Sequence, residues 1–463
     1  MTSIDSPVAA SGDAARAGDA LRDALGERVV LPDDPDYDAA RTAWNLAVDQ
    51  RPVAVAFPES AEDVVAIVRT ASGAGLHVAA QSTGHGAGAL DTGALSRAVL
   101  VSLTRLRGVT VDPEHRTARA LGGSLWTDVL DAAAPHGLTA LHGSAGDVSV
   151  VGYSLSGGIS FYGRSHGLAV GAVREVQIVT ADGRLRRASA DENPELFWAV
   201  RGGGGSFGVV VSIEIDLLPI ADIYAGMLLW PADRTTEVAH AWARWTQSAP
   251  LTSTTSLRVM SFPPLPELPP FLSGRSVIVI DGAIEEQDAV ASALLAELRA
   301  LEPEIDTFTR IPSSQLVAVH MDPPAPAPAA TDHVVLGAFP DAAVAAFAAA
   351  AQTPGLFVME VRHVGGALAH RAETAGAIGS IDGEYIAHSI ALVPAPELWD
   401  GAVQAVRGAT AGFAPWRIDA LAPTFVDSPD ADPSLIYGSS WAELTELKAA
   451  FDPSRLFLAA RTV

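Results

Sequence analysis

The placing of glycine constrains this chain most. Of its 41 glycines, 22 lie between Gly84 and Gly208, about a quarter of the 463 residues. Glycine lets backbone N–H groups approach a ligand closely and turns where other residues cannot, so a cradle for a bound molecule belongs in this stretch. A β-α-β pattern leads into it. "VAVAF" reads as a strand. Ser60 is placed to cap a helix, with Asp63 three residues on, and Val64, Val65, Ile67, Val68 and Ala71 form its apolar stripe. Gly73 and Gly75 stop that helix, and "LHVAAQS" returns as a strand that ends in "QSTGHGAG", residues 81–88.

Short strands follow in "AVLVSL", "GVTVD" and "TARALGG", then a helix over 125–134. A hairpin turns at Asp182-Gly183, a short helix covers 193–200 and a strand 208–218. After Pro219 glycine thins, prolines cluster ("FPPLPELPPF", "DPPAPAPAATD") and longer elements alternate. "SVIVIDGAI", "GLFVMEVRHVGG" and "EYIAHSIAL" read as strands; "QDAVASALLAELRAL" and "DAAVAAFAAAA" read as helices. The expected organisation is a loosely ordered leader (1–35), a first domain (36–218), a second domain (219–414) and a final segment (415–463) that returns to the first. No internal repeat is evident.

Composition excludes several functions. A net charge of −24 repels phosphate backbones, so nucleic acid is not an expected partner. No apolar run approaches the ~20 residues that span a bilayer, so no membrane is expected either. Residues 1–26 lack a signal-peptide pattern, and a cytoplasmic location is expected. The chain has no cysteine, which removes thiol nucleophiles, disulfides, iron–sulfur clusters and thiolate zinc sites; no metal site is expected. Lys448 is the one lysine among 30 basic side chains, in a helix-like stretch, which argues against Schiff-base chemistry.

Two glycine motifs carry different weight. "GGGSFG", Gly203 to Gly208, matches G-x-G-x-x-G. A dinucleotide fingerprint runs strand, glycines, helix; here a helix precedes and a strand follows, which argues against nicotinamide binding. "QSTGHGAG" sets His85 between Gly84 and Gly86 on a bare turn open to a ligand. By itself this is equally an anion-binding nest with an incidental histidine.

The wider pattern bears on the choice. "FPESAEDVVAIVR", the His85 turn, "GGSLWTDV", "GYSLSGGISFYGRSHGL", "NPELFWAVRGGGGSFGVV" and the closing Tyr437-Gly438 with "LKAAFDPSRLF" together resemble the berberine-bridge-enzyme-like FAD-linked oxidases, which share the vanillyl-alcohol-oxidase-type FAD fold, and within them the bacterial 6-hydroxy-D-nicotine-oxidase-like branch. The resemblance implies an α+β fold. A two-part, PCMH-type FAD-binding domain is formed by both chain ends, and an α+β substrate domain carries an antiparallel sheet. It implies a covalent bond from His85 to the flavin. It also implies FAD contacts from Ser82, Thr83, Gly84, Gly86, Ala87, Gly122, Ala145, Gly146, Val148, Gly152, Gly157, Gly158, Val209 and Tyr437. Ala145 stands where many relatives attach the flavin a second time through cysteine, so the attachment here is single.

The activity implied is oxidation of an alcohol or amine carbon of a small molecule, with hydride passing to flavin N5 and molecular oxygen as acceptor. A flavin dehydrogenase with another acceptor, or a non-catalytic flavin-binding protein, is the alternative. Val148 matches the place of an oxygen gate. The chain departs from the pattern at Ser149 and Val151, where glycines are usual, and at Ser206, often asparagine. It also shows "APTF" (Ala422 to Phe425) where a Tyr-x-Asn-Tyr pattern can supply the base. For that missing base the sequence offers Tyr385 or His388 on one strand. On another, Glu360 and Arg362 share a face and are expected to form a structural ion pair.

Overall fold

The computed structural model describes residues 7–461 and 463. Three sheets organise it. The first runs Val29–Val30, Ala54–Ala56, Ala98–Ser102, His77–Gln81 and Phe457–Leu458 in spatial order. Its last three pairings are parallel, and its β-α-β crossover is the helix Ala61–Gly73. Ser60 caps that helix as expected: its hydroxyl accepts from the Asp63 N–H at 3.1 Å, and the Asp63 carboxylate accepts from the Ser60 N–H at 3.1 Å. Val64, Ile67, Val68 and Ala71 are fully buried against the sheet.

The second sheet is antiparallel, with five strands between Val109 and Asp216. The strand Phe457–Leu458 pairs with His77–Gln81, so the chain's end completes a sheet begun by its start. This sheet is therefore built from two separated segments of the chain. Lys448 seals the junction: its ammonium donates to the Asp452 carboxylate and to the Ser206 carbonyl, both at 2.6 Å. The single lysine is thus a buried structural group.

The third sheet has eight strands and is antiparallel throughout. At its centre lie Ser276–Ile284, Ser253–Ser261, Val358–His363 and Tyr385–Leu392. Leu257, Val361, Tyr385 and Ala387 lie in one core cluster with Trp242, Phe347 and Val406 of the covering helices. Alternate residues turn the other way, toward the glycine-rich half of the chain.

Two expectations need correction. Over its described residues, from Pro7 on, the stretch expected as a loose leader is ordered: Pro7–Leu25 is helical. Ala17, Leu21 and Leu25, spaced four apart, are buried in one cluster with Val64, Ile67 and Val29, as a single apolar helix face requires. Residues 1–6 lie outside the described residues. The helix expected in "QDAVASALLAELRAL" is two short pieces, Asp288–Leu294 and Ala296–Arg299, joined at Leu295. Among the described residues no helix is long and apolar enough to cross a membrane.

Candidate active site

A cavity of about 790 Å³ lies between the glycine-rich half and the open face of the third sheet. That volume is typical of a cofactor or ligand pocket. The His85 turn forms part of one wall. Gly84 has φ +83°, and a Cβ there would sit 2.8 Å from that of Ala43, so both conformation and contact demand glycine. The turn is held from outside the motif. The Trp44 N–H donates to the Thr83 carbonyl at 2.9 Å, and the Trp44 ring stacks on His85 with centroids 4.3 Å apart. Its indole N–H donates to Asp147 at 2.8 Å.

His85 Nδ1 lies 2.8 Å from the Thr83 hydroxyl. Nε2 is buried without a hydrogen bond; its nearest charged neighbour is Asp147 Oδ1 at 3.5 Å. The facing His85 imidazole, against the opposing effect of burial, holds the Asp147 carboxyl below its ordinary value.

The expected cofactor residues divide. Ser82, Thr83, Gly84, His85, Gly86, Ala87, Ala145, Val148 and Gly152 all line the cavity. Gly122, Gly146, Gly157, Gly158, Val209 and Tyr437 do not. A Cβ at Gly122 would strike the Val210 carbonyl at 2.7 Å, and one at Gly146 the Thr127 methyl at 2.6 Å, so these glycines serve packing. Gly157 and Gly158 form a left-handed turn in which a Cβ on Gly158 would meet Ala169 at 2.6 Å and Tyr153 at 2.7 Å. Val209 faces a core cluster, and its strand neighbour Val210 lines the cavity instead. Tyr437 is buried behind the site, its hydroxyl donating to the Arg461 carbonyl at 3.3 Å. Ser149, one of the departures from the family pattern, caps the short helix Val150–Ser154, its hydroxyl accepting from the Gly152 N–H at 3.4 Å.

The opposite wall carries charge. Arg258, Glu360 and His388 are cross-strand neighbours on three adjacent strands, and all three line the cavity. Arg362 donates from Nε to Glu360 at 2.7 Å and from Nη2 to His320 Nε2 at 2.9 Å. His320 Nε2 therefore accepts, and Nδ1 donates to Asp281 at 3.0 Å. Asp281 also takes a close ion pair from Arg258. Burial by itself would raise the Glu360 carboxyl, but the Arg362 guanidinium beside it outweighs burial and holds it well below the usual carboxylate range. His388 Nδ1 lies 3.6 Å from Glu360 Oε2, and its ring meets the Phe425 ring edge-on at 4.8 Å. The Glu360–Arg362 pair forms as expected, but it is a wall of the cavity as well as a structural contact.

Tyr385 is a correction. Three residues from His388 on one strand, it faces the other way. It sits among Trp242, Phe339 and His363, its hydroxyl 2.8 Å from that of Thr246. It cannot reach the cavity. Sequence reasoning missed Trp44, Asp147, Arg258, Asp281 and His320. A buried-charge pattern in "RVM" or "VID" was the only available signal, and it is weak.

The residues fit FAD. At Gly86, Gly152 and Gly205 a Cβ would find no protein atom nearer than 3.6, 3.9 and 3.8 Å, so a side chain there would fill space in the cavity. His85 contributes a sealed, unpartnered ring nitrogen at the same wall.

Comparison with known proteins agrees with this geometry. The FAD binding domain family matches residues 52–189. (R)-6-hydroxynicotine oxidase of Paenarthrobacter nicotinovorans is 36% identical over 203 residues, 44% of each chain, so the match spans less than half of that relative. Physcomitrella patens BBE-like 1 superposes with a TM-score of 0.83 at 20% identity, over 96% of this chain and 98% of that one. Glucooligosaccharide oxidase from Acremonium strictum, whose structure is described with a 6-S-cysteinyl, 8α-N1-histidyl FAD, superposes with a TM-score of 0.80 at 21% identity, over 96% of this chain and 98% of that one. The chain is therefore similar to the FAD binding domain family over residues 52–189, and over nearly its whole length it shares the fold of these two solved structures.

Proposed function

We propose that this protein is an FAD-dependent oxidase that removes hydride from the C–H of an alcohol or amine carbon in a small molecule, with molecular oxygen as final acceptor and with FAD tethered through His85 alone. The observation that carries the reading is one cavity with a glycine and histidine cradle on one wall and a buried, ordered charge row on the other. Bound FAD supplies the two-electron acceptor; the protein supplies position and charge.

His85, Ser82, Thr83, Gly84, Gly86, Ala87, Ala145 and Gly152 are the residues that hold the cofactor. Trp44 fixes the His85 ring plane by stacking, and alignment of this kind governs much of the rate. His388 is the proton acceptor. With Nδ1 turned to the anionic Glu360, Nε2 is free to take the O–H or N–H proton, and the imidazolium that forms faces a carboxylate. Glu360 is a positioning residue, held in turn by Arg362. Val148 borders the cavity beside Ala145 and serves as the oxygen gate.

The test is direct. Acid-denatured protein should keep its yellow colour on the polypeptide, and digestion should give one flavin-bearing peptide, containing His85. His85→Ala should release its flavin on denaturation. Free flavin from the denatured parent protein, or a modified peptide without His85, refutes the tether. Failure of every alcohol and amine tried to bleach the flavin anaerobically refutes the oxidase reading.

A further inference from the structure

The open face of the third sheet is graded, and sheet register sets the gradient. The first cross-strand row is Arg258, Glu360 and His388. Two residues along each strand, the next row is Met260, Val358 and Ile390, again direct partners. The strands are antiparallel, so this coincidence of chemistry across three chains depends on register alone. Beyond it stand Phe262 and Leu392, with Phe357 edge-on to Phe262 at 5.5 Å. Each step of two residues covers about 7 Å. The proline-rich segment after Phe262 folds over this end and adds Leu265. Met260 and Val358 are nearly buried, packed with Leu272 at the cavity wall, whereas Leu265 and Leu392 are 46% and 37% exposed, so the outer end of this apolar surface is presented.

We infer that the substrate is amphiphilic: its reacting hydroxyl or amine lies at the charged row, and the rest is an apolar aromatic or alkyl body reaching about 7 Å or more along the sheet. This rests on the oxidase reading above and names its substrate class. An oligosaccharide carries an oxygen on nearly every carbon, about half of them as free hydroxyls. Each one pressed on Met260, Val358 or Ile390 would lose its water without gaining a hydrogen bond.

The test uses the holoenzyme and benzyl alcohols bearing 4-alkyl chains of zero to four carbons, with xylobiose as the polar comparison. Binding is read from the perturbed flavin absorbance or by calorimetry, and reduction from anaerobic bleaching. Affinity should tighten about fourfold per added CH₂, and Leu265→Ser/Leu392→Ser should flatten that dependence for the longer chains. Affinity indifferent to chain length, a dependence unchanged in the double variant, or tighter binding of xylobiose overturns the inference. Chain-length-dependent binding without any bleaching supports the apolar subsite and removes the oxidase reading. Bleaching by xylobiose with no chain-length effect does the reverse.

Discussion

Asp427 gives the sharpest quantitative prediction. It lines the cavity, and its Oδ1 is buried without a hydrogen bond. Its other oxygen accepts a long 3.4 Å bond from Thr331. Burial raises its pKa to about 7, against smaller opposing effects from Arg461, Thr331 and the Gly88 backbone. In the unfolded chain the same group titrates near 3.9. The folded state therefore binds the proton more tightly. Stability from this group is complete below about pH 4 and is lost as pH rises through about 7. At 1.36 kcal/mol per pH unit the whole loss is up to about 4 kcal/mol. Asp427→Asn keeps the shape and removes the titration. Urea unfolding of parent and variant should show the variant gaining on the parent by about 2 kcal/mol between pH 5.5 and 8, then a constant gap. Taking the difference cancels every titration the two proteins share. A gap that stays constant from pH 5.5 to 8, or that narrows, refutes the reasoning.

Other outcomes follow from the same geometry. Tyr385→Phe should leave flavin reduction nearly unchanged, whereas His388→Ala should slow it by about 100-fold or more in stopped flow, the usual contribution of a positioned base. Val148→Leu adds a methylene to a packed wall. It should slow reoxidation by oxygen about tenfold or more and spare reduction by substrate, as oxygen-electrode and anaerobic traces can separate. Gly158→Ala should destabilise by about 2–5 kcal/mol, combining a left-handed backbone with a Cβ driven into Tyr153 and Ala169. A thermal or urea midpoint equal to that of the parent protein would contradict it.

Local chemistry was legible in the chain itself. Ser60 and Asp63 make the capping box because their spacing of three matches the first helical turn. Gly84 marks a turn before His85 because its left-handed backbone excludes most other residues. The strand at Tyr385–Leu392 follows from its β-branched and aromatic content, and the opposite facing of Tyr385 and His388 follows from its two-residue period. Which of those faces meets the cavity does not, because that depends on what packs on each side of the sheet. The charge row is likewise a product of register: Arg258, Glu360 and His388 come from three separate strands, and only antiparallel pairing sets them side by side. Trp44 and Asp147 reach His85 from 41 and 62 residues away in sequence. No local propensity encodes such a meeting; it is made when burial of the sheets' apolar faces brings distant segments together.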